Sequence, residues 1–146
     1  MAIRFGDTFR VSKQPTEVYD FLTDPKRFAP LLPDFESMSQ SDARRCTVNL
    51  KVGISHIRGT ASILLDLAEA ERPRHAVYRG KGSVAGGSVN LTAGFDLVED
   101  GNGTRVTWKG EAQLFGRLIS VAGGLLEPLA KKNVQKLIDA LQKALS

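Results

Sequence analysis

The sequence predicts an α+β fold in which a curved antiparallel sheet of about six or seven strands packs against a long C-terminal helix. Two observations carry this. Apolar residues recur with period two from about Met38 to Leu114, and with helical period from Leu118 to Leu145. A sheet with one apolar face and a helix with one apolar stripe bury those surfaces against each other. The 146 residues suffice for a single domain over 1–146 with a core of its own, and leave no room for a second.

Phe5, Phe9 and Val11 share one parity with polar residues between them, which marks a first strand. Ser12 to Pro15 interrupts it, and Pro15 suits the first turn of a helix whose apolar face is Val18, Tyr19, Phe21 and Leu22. Asp24 and Pro25 stop that helix, and a second short helical turn runs from Lys26 to Leu32 before Pro33. Then come the alternating sets Cys46-Val48-Leu50-Val52, Ile57 to Leu67, Ala76 to Gly82, Val89 to Leu97 and Val106 to Leu114. Turn residues separate them at 71–73, 85–87 and 100–103, so the strands read as an antiparallel meander. The final stripe is Leu118, Val121, Ala122, Leu125, Leu129, Val134, Leu137, Ile138, Leu141 and Leu145, and Pro128 predicts a kink or restart of the helix near Glu127.

One cysteine, Cys46, excludes an internal disulfide and a Cys-rich zinc cluster, and its alternating neighbours make it a small core residue. The N-terminal residues lack the apolar region of a secretory signal, which predicts a cytoplasmic protein. The most apolar stretch, Leu114 to Ala130, carries Arg117, Glu127, Pro128 and three glycines and does not read as a membrane span. Residues 1–73 hold ten basic and ten acidic side chains, so the net charge of +4 lies wholly in 74–146, with ten basic and six acidic. Its densest cluster is Lys131, Lys132 and Lys136, which with Arg117 forms a candidate surface for a partner protein or an anionic membrane. Nucleic acid is the least favoured partner, because that charge lies mostly on the helix that closes the core and no recognition motif accompanies it.

The inward parity places Cys46, Gly59, Ala61, Gly80, Gly82, Ala93, Gly110 and Ala112 where a filled core carries larger side chains. Two readings follow: the helix approaches the sheet closely, with glycines marking curvature, or the sheet and helix enclose an apolar pocket of roughly 300–1,000 Å³. Tyr78 and Trp108 are its candidate polar groups, each with an apolar body and a hydrogen-bonding tip. Catalytic chemistry is sparse. His56, by a turn, and His75, at a strand start after Pro73, lie outside any metal-ligand spacing and read as solvated surface residues, and the glycine-rich runs at 80–82 and 100–103 precede no helix that could hold a phosphate. No catalytic, metal-binding or cofactor-binding residue is assigned.

Several segments resemble a known family. They are Phe5 with Val11, the run from Pro15 to Pro25, Leu31-Leu32-Pro33, Lys51-Val52-Gly53, Gly80-Lys81-Gly82, Gly86-Gly87-Ser88, Gly103 to Trp108, Gly116-Arg117-Leu118 and Ala130-Lys131-Lys132. In that order they resemble the carbon monoxide dehydrogenase G-subunit family of the START-like (Bet v 1-like, SRPBCC) superfamily. The sequence departs from it at Asp34, where the family usually has Gly, and in a short segment between Gly53 and Gly59. Both departures bear on the cavity entrance.

The resemblance implies a helix-grip fold with a cavity for a hydrophobic ligand between sheet and C-terminal helix. Its lining candidates are Phe21, Phe28, Val48, Leu50, Gly59, Ala61, Ile63, Tyr78, Gly80, Ala93, Phe95, Trp108, Gly110, Ala112, Val121, Leu125 and Leu129. The expected function is binding or carriage of a lipid, isoprenoid or quinone-like molecule without catalysis or cofactor, as accessory to a molybdenum hydroxylase of the carbon monoxide dehydrogenase type. The alternatives are a cyclase or hydrolase using the same cavity, and a module docking on a partner or peripherally on a membrane. A monomer or small homo-oligomer is expected.

Overall fold

A computed structural model describes residues 1–54, 57–84 and 87–146, and their side chains except at 54, 57, 84, 118 and 120–123. His56, one of the two candidate histidines, lies outside the described residues. The elements are β1 (Ala2–Val11), α1 (Pro15–Leu22), α2 (Pro25–Phe28) continued by a 3-10 turn (Ala29–Leu31), β2 (Phe35–Gln40), β3 (Arg45–Ile54), β4 (Ile57–Glu71), β5 (His75–Val84), β6 (Gly87–Asp100), β7 (Gly103–Gly116) and α3 (Arg117–Ala144). The strands form one seven-stranded antiparallel sheet in the order β1-β7-β6-β5-β4-β3-β2. Consecutive strands pair through β2 to β7, and β1 closes onto β7. The sheet curves around α3, which packs on β1, β6 and β7, in the helix-grip arrangement of START-like proteins.

The register makes one inner face from the alternating sets. Leu67, Tyr78, Ala93, Gly110 and Phe5 face one another in a row across β4, β5, β6, β7 and β1. The next row is Cys46, Leu65, Gly80, Leu91, Ala112 and Ile3. Side chains of one parity share a face, so a single register error would have turned every one of them outward.

The short helices are placed by local chemistry. Pro15 opens α1 and Thr23 closes it, its hydroxyl donating to the Tyr19 carbonyl at 2.8 Å. Asp24 caps α2 by accepting from the Lys26 amide at 3.1 Å. Arg72, in the β4–β5 turn, donates from Nε and Nη2 to both oxygens of Asp20 on α1, at 2.8 and 2.9 Å. These bonds hold the Asp20 carboxyl below its usual range. Asp34 takes a left-handed backbone conformation, with φ of 60°. Glycine suits that conformation best and Asp is among the side chains that tolerate it.

Helix α3 is continuous across Pro128, so the expected restart there does not occur. An unbroken helix keeps its phase, and the face fixed by Leu145, Leu141, Ile138 and Val134 continues through Ala130 and Leu126 to Ile119. Leu126 is buried against Ile3, Val89 and Leu114, with Ile119 and Ala130 packed on that cluster. Leu125 consequently points away and is 55% exposed. Leu129, four residues on from Leu125, is half-buried and belongs to none of the core clusters. Val121 has its side chain outside the described residues. The helix C-terminus is anchored: the Leu145 carbonyl accepts from the Ser12 and Lys13 amides, both at 3.1 Å.

Candidate functional site

The buried side chains fall into three clusters. The first joins α1, the C-terminal half of α3 and the ends of β1, β6 and β7 around Val18, Phe95, Val106 and Leu141. The second surrounds Ile3, Val89, Leu114 and Leu126, and the third lies beneath α2 around Ala29, Cys46 and Val48. Domains of this size usually have one contiguous core. Between the three clusters lies a cavity of about 360 Å³, walled by members of the first and third and by residues packed on the second. Ala93, near the middle of the sheet's inner face, is exposed within it.

Ten of the sequence-derived candidates meet at this cavity: Phe28, Val48, Leu50, Ile63, Tyr78, Ala93, Phe95, Trp108, Gly110 and Ala112. Others do not. Phe21 is buried in the first cluster, with the Arg27 guanidinium 5.0 Å above its ring centre. Gly59 is exposed in β4 next to the β3–β4 turn, with a φ of 152°. Ala61 is buried beside Leu50, outside the lining. Gly80 is roofed by larger neighbours, since a Cβ there would stand 3.0 Å from Leu65 Cδ2 and 3.3 Å from Leu91. Gly82 is covered in the same way by Ile63 and Val89. Close packing therefore accounts for the small residues of β5, and a cavity for those of β6 and β7. Leu125 and Leu129 miss the cavity because of the helix phase. In their place α3 presents Val134, Leu137, Ile138 and Leu141, and the sheet and short helices add Phe5, Phe9, Leu22, Leu32, Leu65, Leu91 and Val106. Most of these lay in the alternating sets or the helical stripe; the signal was present and the emphasis on small residues passed over them.

The wall is almost wholly apolar. Glu111 borders the cavity, and its carboxylate is paired with Arg4 Nε at 3.2 Å. Tyr78 donates its hydroxyl to the Leu22 carbonyl at 2.8 Å, joining the end of α1 to β5. Burial raises its pKa, so it stays neutral. The Cys46 thiol is likewise raised by burial, as an inert core thiol is. Phe5 stacks on Trp108, with ring centres 6.3 Å apart.

His75, read from sequence as a solvated residue, instead joins two carboxylates on the outer face. Its Nδ1 lies 2.8 Å from Asp96 and its Nε2 3.3 Å from Glu69. Both ring nitrogens donate only in the imidazolium, so these bonds, that to Asp96 foremost, raise the His75 pKa above 6.5. The protonated link contributes stability fully below about pH 6.5 and loses it as pH rises through the higher folded value. Thermal melts of wild type and His75→Ala should differ more near about pH 6 than near about pH 9; a gap independent of pH would refute the protonated link. Among the described residues, no group of three or more His, Cys, Asp or Glu side chains is placed to hold a metal ion.

Of the basic surface candidates, Lys131 pairs with Glu127 at 3.3 Å, while Lys132 and Lys136 are exposed one turn apart on α3 and Arg117 opens that helix. No helix among the described residues is long and apolar enough to cross a membrane.

Comparison with curated proteins found no match. Solved structures share the fold. A conserved protein from Geobacillus kaustophilus superposes with a TM-score of 0.84 at 19% identity, covering 99% of this chain and 95% of that one. A START superfamily protein from Mycobacterium smegmatis gives 0.68 at 10% identity, over 97% and 96%. The Zhui aromatase/cyclase from Streptomyces sp. R1128 gives 0.68 at 14%, over 99% and 92%. At these identities the likeness is one of fold, a START-like fold. The family model for the carbon monoxide dehydrogenase G subunit (CoxG) matches residues 7–146. With that match running from β1 to the C-terminal residue, the chain belongs to the CoxG family, that of the carbon monoxide dehydrogenase G subunit.

Proposed function

We propose that the protein binds and carries a hydrophobic small molecule of lipid, isoprenoid or quinone-like character in the cavity between sheet and α3, as accessory to a molybdenum hydroxylase of the carbon monoxide dehydrogenase type. The observation that carries this reading is the apolar cavity of about 360 Å³, with Ala93 exposed on its wall. That volume falls within the range of small-molecule sites. Apolar surface left in water is a driving force for binding, at roughly 25 cal/mol per Å² covered. Family membership supports the link to the hydroxylase.

A cyclase or hydrolase would need polar groups converging on the bound molecule. Of the two sequence-derived polar candidates in this lining, Tyr78 has its hydroxyl committed to the Leu22 carbonyl and Trp108 offers only an indole N–H donor, so neither is a general base. Native mass spectrometry of protein purified from its own host, with displacement of a lipophilic dye by what is extracted, tests the carrier reading. A bound apolar species that displaces the dye is the expected result; uniform failure to bind any apolar molecule would overturn it.

A further inference from the structure

Trp108 Nε1 is buried beyond the reach of water and has no hydrogen-bond partner, alone in this among buried side-chain nitrogens and oxygens of the described residues. Native structures pair nearly all such groups, and each exception calls for an explanation. The chain does not supply an acceptor. Asp7 faces Trp108 across the β1–β7 ladder, but it is exposed and its Oδ1 accepts from the Thr8 amide at 2.8 Å. The indole's Cζ3 edge leans over Gly110, where an added Cβ would stand 3.3 Å from it, and Phe5 stacks on the ring. Covalent geometry puts the N–H on the opposite edge, in a ring that borders open cavity.

We propose that the cavity's occupant carries a hydrogen-bond acceptor oxygen of carbonyl or ether type and seats it on Trp108 Nε1. The inference rests on the cavity reading above and adds a requirement to it: an apolar body alone is not the preferred cargo. The oxygen draws the N–H to the cavity surface. Carrying such an oxygen out of water into an apolar site is unfavourable unless a donor meets it, so Trp108 sets both the orientation of the molecule and the preference for oxygen over plain hydrocarbon.

The test uses two probes that differ only in a carbonyl replacing a methylene, valerophenone and pentylbenzene. The chain has one tryptophan, so nitrogen-15-labelled protein gives a single indole N–H signal that reports this bond directly. Valerophenone should move the indole proton downfield and pentylbenzene should not. Trp108→Phe should weaken valerophenone roughly tenfold more than it weakens pentylbenzene. An indole signal that responds alike to both probes would overturn the inference and leave the cavity reading standing, as would equal losses for both probes in a folded Trp108→Phe protein. Failure of the wild type to bind either probe would overturn both. Should Trp108→Phe fail to fold, the wild-type indole signal still decides.

Discussion

Replacing Ala93 by Phe is expected to abolish binding of apolar molecules while leaving the protein as stable as before or more so. Ala93 stands in the row Tyr78, Ala93, Gly110 at the middle of the inner face, exposed within the cavity. A benzyl group there has open space to enter and takes the volume a bound molecule would use. Loss of affinity on the order of 100-fold, about 2.8 kcal/mol, is expected by dye displacement or calorimetry. The same ring covers apolar floor that is otherwise wet, and filling a cavity of this kind commonly adds about 0.5–2 kcal/mol of stability. Lost binding with a maintained or raised melting temperature distinguishes a filled site from a damaged fold. Unchanged affinity would place the bound molecule elsewhere.

Gly103→Ala should act in the opposite way, through the fold. A Cβ at this first residue of β7 would be driven into the Val11 carbonyl oxygen and the Arg10 guanidinium. The Val11 carbonyl is the one that cannot easily withdraw, since the Arg10 guanidinium ends a flexible, half-exposed side chain. Val11 is paired with Thr104, whose hydroxyl donates to the Lys13 carbonyl at 2.7 Å, and Arg10 Nη2 donates to the Asp100 carbonyl at 3.0 Å. The Ser12 and Lys13 amides are held by Leu145 at the end of α3. The substitution therefore strains the junction of β1, β7 and α3 together, and a loss of about 3 kcal/mol is expected. For a chain of this size that lowers the melting temperature by roughly 10 °C. A shift of less than about 2 °C in a thermal melt would show that the junction yields more readily than its hydrogen bonds imply.

Much of this architecture was legible in the sequence because the sheet repeats one rule. Every strand from β3 to β7 alternates, so the inner face could be read without knowing the pairing, and the pairing then confirmed it row by row. The helix was harder. Leu125 and Leu129 read as part of one stripe with Val134 to Leu145, but the phase of the continuous helix puts Leu126 inward and Leu125 outward. Glycine was ambiguous in another way. Gly80 and Gly110 look alike in sequence, yet Leu65 and Leu91 fold over the first while the second borders the cavity, a difference made by side chains on neighbouring strands. The bonds of His75 to Glu69 and Asp96 were invisible for the same reason, since Asp96 meets it only once β5 and β6 are paired.

The open floor at Ala93 also bears on how an occupant leaves. A molecule stepping from this cavity into water re-wets both its own surface and the sheet beneath it, and both exposures add to the barrier. One that passes straight to an apolar acceptor pressed against the cavity mouth re-wets neither. On the proposed carrier reading, escape by diffusion is slowed by the same surface that favours uptake, and delivery is tied to contact with an apolar acceptor.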